Sequence, residues 1–240
     1  MSIKITTAMI LAAGLGLRMR PLTASRPKAL VEVGGQALID RILDRLSHAG
    51  VTRVVINLHY RGDMLRAHLA KRADMEIIFS DESDLLLDTG GGLKHASSLF
   101  GDEPIFTHNC DTLWLESKKP ALQNLCDTFD LKSMDILMLL APRAQASGYD
   151  GKGDFHLNED GRLKWRDAKE TAPFVWTGVQ IFNPALLEDM SEGPFSATRL
   201  FDKALNAGRL FGVKLDGTWM HIGDLQGLKE AEILLKNGLT

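Results

Sequence analysis

What most restricts this chain is the alternation of short apolar runs with amphipathic helical patterns over its first 142 residues. Residues 8–12 read as a buried strand, and residues 36–49 carry Leu38, Ile39, Ile42, Leu43 and Leu46 on one helical face, with Gly50 just beyond as a C-cap. The alternation continues as strand 51–58, helix 62–71 with Met64, Leu65 and Leu69 inward, strand 75–79, helix 93–99, strand 104–108, helix 120–129 and strand 134–140. Strands that alternate with helices are joined by right-handed crossovers into a mostly parallel sheet with helices on both faces. The expected fold is therefore α/β, Rossmann-like and doubly wound, with ligands bound in crevices at the carboxyl ends of the strands.

The pattern changes after residue 142. Residues 153–157 and 162–165 flank Asn158-Glu159-Asp160-Gly161 and read as a hairpin, with further strands at 174–182 and 210–215. A last amphipathic helix at 225–235 is expected to pack Leu228, Ala231, Ile233 and Leu235 and to end at Gly238. No repeat or Pro/Gly/Ser-rich linker separates the halves, so one domain over 1–240 is expected, its sheet made mixed by the second half.

Composition excludes several function classes. Lys+Arg 28 against Asp+Glu 31 leaves a formal charge of −3, with no net basic field to hold a nucleic-acid backbone. The longest apolar stretch, 136–142, is far short of the roughly 20 residues that span a bilayer. Cys110 and Cys126 form no Cys-x-x-Cys pair, which argues against zinc ribbons and thioredoxin-type sites and for two buried thiols in a reducing compartment. Lys4 and the run 8–13 form a weak signal-peptide pattern, but Gly14 and Gly16 break it before Arg18 and Arg20. The chain reads as cytoplasmic, without nucleic-acid or membrane partners.

The segment with most chemical content is Leu-Ala-Ala-Gly-Leu-Gly-Leu-Arg-Met-Arg-Pro-Leu-Thr at 11–23, continuing to Arg26-Pro27-Lys28. A strand ends in small residues, and glycines at alternate positions let backbone N–H groups approach an anion. Arg18, Arg20 and Lys28 bring fixed positive charge to the same place, a combination that suits a polyphosphate. A Walker A loop would need Gly-Lys-Ser/Thr, and a dinucleotide fingerprint would need a third glycine where Met19 stands. Pro21 and Pro27 predict an extended loop in place of an immediate helix. The plainer alternative is a strand-to-loop turn with incidental surface arginines.

Together with Pro27-Lys28 and Val-Gly-Gly-Gln-Ala-Leu-Ile at 33–39, this segment resembles the signature of the sugar-1-phosphate nucleotidyltransferases, and most of the remaining chain follows that family's order of segments. The resemblance implies that Leu11, Ala12, Ala13, Gly14 and Gly16 hold a nucleoside triphosphate, that Arg18 contacts its phosphates, and that Lys28 contacts the reacting phosphates. It also implies a nucleotidyltransferase fold without the C-terminal extension that larger relatives carry.

Other segments extend the candidate site. Asp111 lies just past strand 104–108, on the edge that faces the crevice, where a carboxylate suits Mg²⁺ or caps the next turn. The family's Gly-Asp magnesium site implies the metal role, although Cys110 replaces the usual glycine. Thr89-Gly90-Gly91-Gly92 is expected before a helix, as a hinge or as a platform for a flat base, and the resemblance implies that Thr89, Gly90 and Gly91 lie over the nucleobase. Within the family this triplet is most similar to the branch of N-acetylmuramate-1-phosphate uridylyltransferases, which implies UTP, a sugar 1-phosphate and a role in peptidoglycan recycling. Asn109, Gly153, Asp154, Thr177 and Gly178 fall in segments that line the sugar pocket there. Many relatives carry Trp-x-Asp-x-Gly-Thr near the C-terminus, with the aspartate as second magnesium ligand, whereas here Trp219-Met220-His221 puts histidine at that position. Imidazole suits softer ions better, so Mn²⁺ joins Mg²⁺ as a candidate, and three roles stay open for His221: a metal ligand with Asp111, a partner of a metal-bound water, or a hydrogen-bond partner of a phosphate. Asp224 is expected to cap the last helix. Guanylyl or glucose-1-phosphate-type transfer, and a non-catalytic nucleotide-sensing subunit, stay open as alternatives.

Overall fold

The computed structural model describes residues 2–238. In chain order its elements are β1 (Thr7–Leu11), β2 (Glu32–Val33), β3 (Gln36–Ala37), α1 (Leu38–His48), β4 (Arg53–Leu58), α2 (Gly62–Leu69), β5 (Glu76–Asp81), α3 (Asp88–His95), β6 (Ile105–Asn109), β7 (Thr112–Glu116), α4 (Ala121–Thr128), β8 (Ile136–Pro142), β9 (Ala146–Ser147), β10 (Phe155–Leu157), β11 (Leu163–Trp165), β12 (Phe174–Phe182), α5 (Thr198–Asn206), β13 (Leu210–Lys214), β14 (Gly217–His221) and α6 (Leu225–Asn237). A nine-stranded sheet runs β11-β10-β12-β6-β1-β4-β5, with β8 paired to β12 and β13. β6, β1, β4 and β5 are mutually parallel, while β12 is antiparallel to both β6 and β8. This is the expected doubly wound mixed sheet.

Its strands are buried on both faces, so alternate residues enter two separate cores. Ala8, Ile10, Val54, Ile56, Leu137 and Leu139 join the core under α1, α2, α4 and α6. Met9, Val55, Met138 and Leu140 join the other, with Leu93 of α3 and Leu200, Phe201 and Ala204 of α5. No described helix is long and apolar enough to cross a membrane.

Several local expectations are corrected. The helix expected from residue 36 starts at Leu38, because Gly34 (φ 57°) and Gly35 (φ 76°) turn β2 into β3 as a tight hairpin. The proline-rich stretch after the glycine loop is not extended. It folds as three 3₁₀ turns, Leu17–Met19, Leu22–Ala24 and Lys28–Leu30, since proline also suits the entry to a tight turn. The three glycines do not precede a helix but lie inside α3. Ile233 is 51% exposed, and α6 buries Gly227, Ala231 and Leu235 on its inward face. The second sheet, β7-β14-β9, and helix α5 lie outside the elements expected from the sequence, although Leu200, Phe201 and Ala204 give α5 a helical period.

Candidate active site

At the carboxyl ends of β1, β4, β5 and β6 lies a cavity of about 680 Å³. Its wall comes from Leu11, Ala13, Gly14, Gly16, Leu17, Arg18 and Lys28, then Asn57, Glu82, Leu86, Asp88 and Thr89, then Asn109, Cys110 and Asp111, closed by Gly223. The cavity lies where open α/β sheets form their crevice, outside the carboxyl ends of the strands.

The two loop glycines serve different needs. A Cβ on Gly14 would meet nothing within 4 Å, so its absence keeps the cavity open. Gly16 has φ 62°, and a Cβ there would come within 3.2 Å of the Lys28 Cβ, so its absence lets the lysine stem pass close behind the loop. Thr23 Oγ1 donates to the Gly16 carbonyl at 2.7 Å and fixes the turn. Among the described residues, none accepts from the amides of Gly14, Leu15 or Gly16, and Gly14 and Gly16 line the cavity. Ala12 and Ala13 differ, because both donate to Asn57 Oδ1, at 2.6 and 3.2 Å.

Lys28 is only 6% exposed, and its Nζ meets Asp111 Oδ2 at 2.8 Å. His221 Nε2 approaches the same oxygen at 3.6 Å from behind, at the end of β14. Burial alone would push the Asp111 carboxyl up, but the His221 ring and the Lys28 ammonium outweigh it and hold the group well below the usual carboxylate range. Cys110 goes the other way: burial, then the neighbouring Asp111 charge, pushes its thiol up to about 12, so it is no nucleophile. Arg18 stands exposed at the mouth.

Sequence reasoning missed Asn57 and Glu82. Asn57 Nδ2 donates to Glu82 Oε1 at 2.8 Å, while Glu82 Oε2 is buried without a partner among the described residues. Burial raises the Glu82 carboxyl above its ordinary value against the Asn57 hydrogen bond. Both residues sit at or just past the carboxyl end of a parallel strand, the signal that had selected Asp111. Asp88, also missed, takes φ 59° and accepts from the Thr89 amide at 2.6 Å.

The remaining candidates are not gathered at the cavity. Gly90 and Gly91 both donate to the Phe195 carbonyl, and their missing side chains admit the Phe195 ring and the Gly193 carbonyl against α3. Thr177 Oγ1 donates to the Leu139 carbonyl at 2.9 Å, and Asp154 Oδ2 accepts from the Trp176 amide at 3.0 Å. Gly153 (φ 81°) lies against the Ala172 carbonyl. Gly178, at a register shift in β12, leaves room for the Asn109 side chain and reaches the cavity only through it. Asp224 caps α6 as expected, accepting from the Gly227 amide at 2.9 Å.

Comparison with known proteins matches this arrangement to a family. The sequence model described as "Nucleotidyl transferase" matches residues 7–237. The chain is 45% identical over 232 residues to the N-acetylmuramate alpha-1-phosphate uridylyltransferase of Caulobacter vibrioides, covering 95% of this chain and 96% of that one. It is 31% identical over 230 residues to the protein of the same name from Neisseria meningitidis serogroup B, covering 95% and 97%. In fold it is similar to the inositol-1-phosphate CTP transferase from T. maritima, with a TM-score of 0.80 over 98% of this chain and 97% of that one, at 19% identity. A match that begins in β1 and runs into α6, shared with relatives of the same extent, leaves no unit of the fold unaccounted for, and the chain belongs to the nucleotidyl transferase family as one of its sugar-1-phosphate nucleotidyltransferases.

Proposed function

We propose that this chain transfers a uridylyl group from UTP to N-acetylmuramate 1-phosphate, giving UDP-N-acetylmuramate and pyrophosphate, in the cytoplasm and in the service of peptidoglycan recycling. The base and the sugar are carried over from the two uridylyltransferases it resembles. The reaction class is supported above all by one observation: a part-buried Lys28–Asp111 pair beside a glycine loop with unspent amides, in a cavity with no activated nucleophile among the described residues.

The chemistry follows from those groups. An oxygen of the sugar phosphate attacks the α-phosphorus, and the bond to the bridging oxygen of pyrophosphate breaks. The attacking phosphate has a second pKa of about 6 and is already ionised at neutral pH, so no general base is required. What is required is positioning of two anions and stabilisation of charge in the transition state. In this reading the amides from Gly14 onward and Arg18 hold the triphosphate, and Lys28 faces the reacting phosphates. Thr89 and the start of α3 border the base, and Asn109 marks the sugar side, with Gly178 and residues 143–240 behind it.

The wall carries two cations, Arg18 and Lys28, against three carboxylates, Glu82, Asp88 and Asp111, so a polyphosphate needs a further cation. Asp111 and His221, whose Oδ2 and Nε2 lie 3.6 Å apart, would hold such an ion, with substrate phosphate and water completing its shell. Mg²⁺ or Mn²⁺ bound there would supply charge neutralisation at the phosphates.

The test crosses five nucleoside triphosphates with a panel of sugar 1-phosphates and reads pyrophosphate release. UTP with N-acetylmuramate 1-phosphate is expected to turn over fastest, and Lys28→Met or Asp111→Asn to lower that turnover at least about a hundredfold. Nucleotide binding without pyrophosphate release from any pair, or near-normal turnover in both folded variants, would sink the proposal.

A further inference from the structure

Arg18 and Lys28 are joined by a loop, residues 19–27, that the rest of the molecule holds at few points. Arg20, Pro21, Leu22, Ala24, Ser25 and Arg26 are exposed, while Met19, Thr23 and Pro27 are buried. Its turns close on themselves: the Ala24 amide donates to the Pro21 carbonyl at 3.0 Å, and Thr23 Oγ1 to the Gly16 carbonyl at 2.7 Å. Among the described residues, every hydrogen bond that reaches 19–27 from beyond residues 16–30 ends on one atom, the Ala24 carbonyl oxygen. Tyr60 Oη and Arg61 Nη2 both donate to it, each at 3.0 Å. Arg61 Nε donates in turn to Tyr60 Oη at 2.9 Å, so the three groups close a ring.

This grip stands on a rigid base. Strand β4 is paired in parallel with β1 on one side and with β5 on the other. Where it ends, the Leu58 carbonyl accepts from the Glu82 amide at 2.7 Å, and His59 Nδ1 donates to the Glu82 carbonyl at 2.6 Å. Arg61 follows with φ 53°, in the left-handed region, as the residue before α2. A side chain costs stability in that conformation and glycine does not, so an arginine stands where the backbone alone favours glycine. What the arginine adds is a planar fork of N–H groups that closes on the Tyr60 and Ala24 oxygens together. Neither Tyr60 nor Arg61 lines the cavity.

We propose that Tyr60 and Arg61 are positioning residues for the transfer reaction: by gripping the Ala24 carbonyl they hold the loop that runs from Arg18 to Lys28, so that both cations are in place before the nucleoside triphosphate arrives. This rests on the reading of Arg18 and Lys28 as the cations that face the triphosphate. Without the grip the ligand has to order the loop itself. Binding is weakened by that cost, while the chemical step in the ordered complex changes little.

The test compares Arg61→Gly and Tyr60→Phe with the parent chain, using the nucleoside triphosphate and sugar 1-phosphate that turn over fastest. In Arg61→Gly the KM for the nucleotide is expected to rise about tenfold, with kcat and the KM for the sugar phosphate within about threefold. Glycine accepts φ 53° without strain, so the melting temperature should stay within about 4 °C of the parent, which separates lost positioning from a damaged fold. Tyr60→Phe keeps the ring but removes one donor to Ala24 and the acceptor for Arg61 Nε, and should raise the same KM at least about threefold. Hydrogen exchange of the ligand-free proteins reads the grip directly. Peptides covering 16–28 should exchange at least about fivefold faster in both variants, with β4 unchanged, and saturating nucleotide should remove the difference. If Arg61→Gly does not fold, Tyr60→Phe carries the test alone. Unchanged exchange over 16–28, an unchanged nucleotide KM, or an equal rise in both KM values each overturns the proposal. If Arg18→Ala and Lys28→Met both turn over normally, the site reading fails instead, and the exchange data still judge the grip.

Discussion

Asn57 shows how much one side chain can organise at the residue scale. Its amide oxygen takes the two N–H groups where β1 ends, Ala12 and Ala13, and its amide nitrogen holds the buried Glu82 carboxyl. That leaves the next amides, from Gly14 on, for a ligand. Asn57→Ala would strand two backbone donors and a raised carboxyl at once. The expected loss is about 2–3 kcal/mol in urea denaturation, with KM for the nucleotide rising more than kcat falls. Unchanged stability would mean that water replaces the amide without cost. Sequence inspection could not single out Asn57, because one polar letter at the end of an apolar run has no partner until β4 and β5 lie side by side.

At the element scale, α3 was the least legible part of the chain. Asp88-Thr89-Gly90-Gly91-Gly92 has the composition of a loop, and glycine weakens an isolated helix by about 1 kcal/mol relative to alanine. The segment is helical because tertiary packing demands glycine on that surface. Gly91 faces the Gly193 carbonyl, where a Cβ would sit at 2.4 Å, and Gly92 faces Glu82 and Asn57. Gly91→Ala should therefore destabilise by about 1–3 kcal/mol despite its better helix propensity, because the neighbour is backbone and has to move. A rise in the unfolding free energy of that variant would contradict the packing account. Helix α1, in contrast, was legible because its apolar stripe and its Gly50 stop (φ 89°) are local facts.

Whole-molecule behaviour includes a built-in acid sensitivity. His108, on β6, is 1% exposed, stacks on Trp114, and shares a 2.8 Å contact between Nδ1 and the Asn109 carbonyl, while its Nε2 has no partner among the described residues. Burial, aided by the nearby Arg45 charge, lowers its pKa from 6.5 to about 4. The unfolded chain thus binds the proton more readily than the fold does. The stabilising contribution of the neutral ring is complete above about pH 6.5 and is lost as pH falls to about 4, about 3 kcal/mol in all. His108→Leu should flatten the pH dependence of unfolding by that amount between pH 6.5 and 4, measured as the difference from the parent chain. An identical pH profile would show that the ring titrates equally in both states.

The sequence by itself determined the layers of this protein and the chemistry of its first 28 residues. Strand–helix alternation, the glycine loop and its arginines are written within short windows, where period and spacing are local properties. Only the tertiary structure decided how Lys28, Asp111 and His221 meet, residues separated by up to 193 positions yet joined within 3.6 Å on one carboxylate oxygen. It also showed that the cavity wall comes from residues 11–111, with Gly223 the one contribution from the second half among the described residues. Gly90, Gly91, Asp154 and Thr177, candidate ligand contacts in the sequence, meet the Phe195 and Gly193 carbonyls, the Trp176 amide and the Leu139 carbonyl in the fold. The reason is physical: a glycine or a carboxylate has the same letter whether it leaves room for a substrate or for a neighbouring strand, and only the fold brings up what it faces.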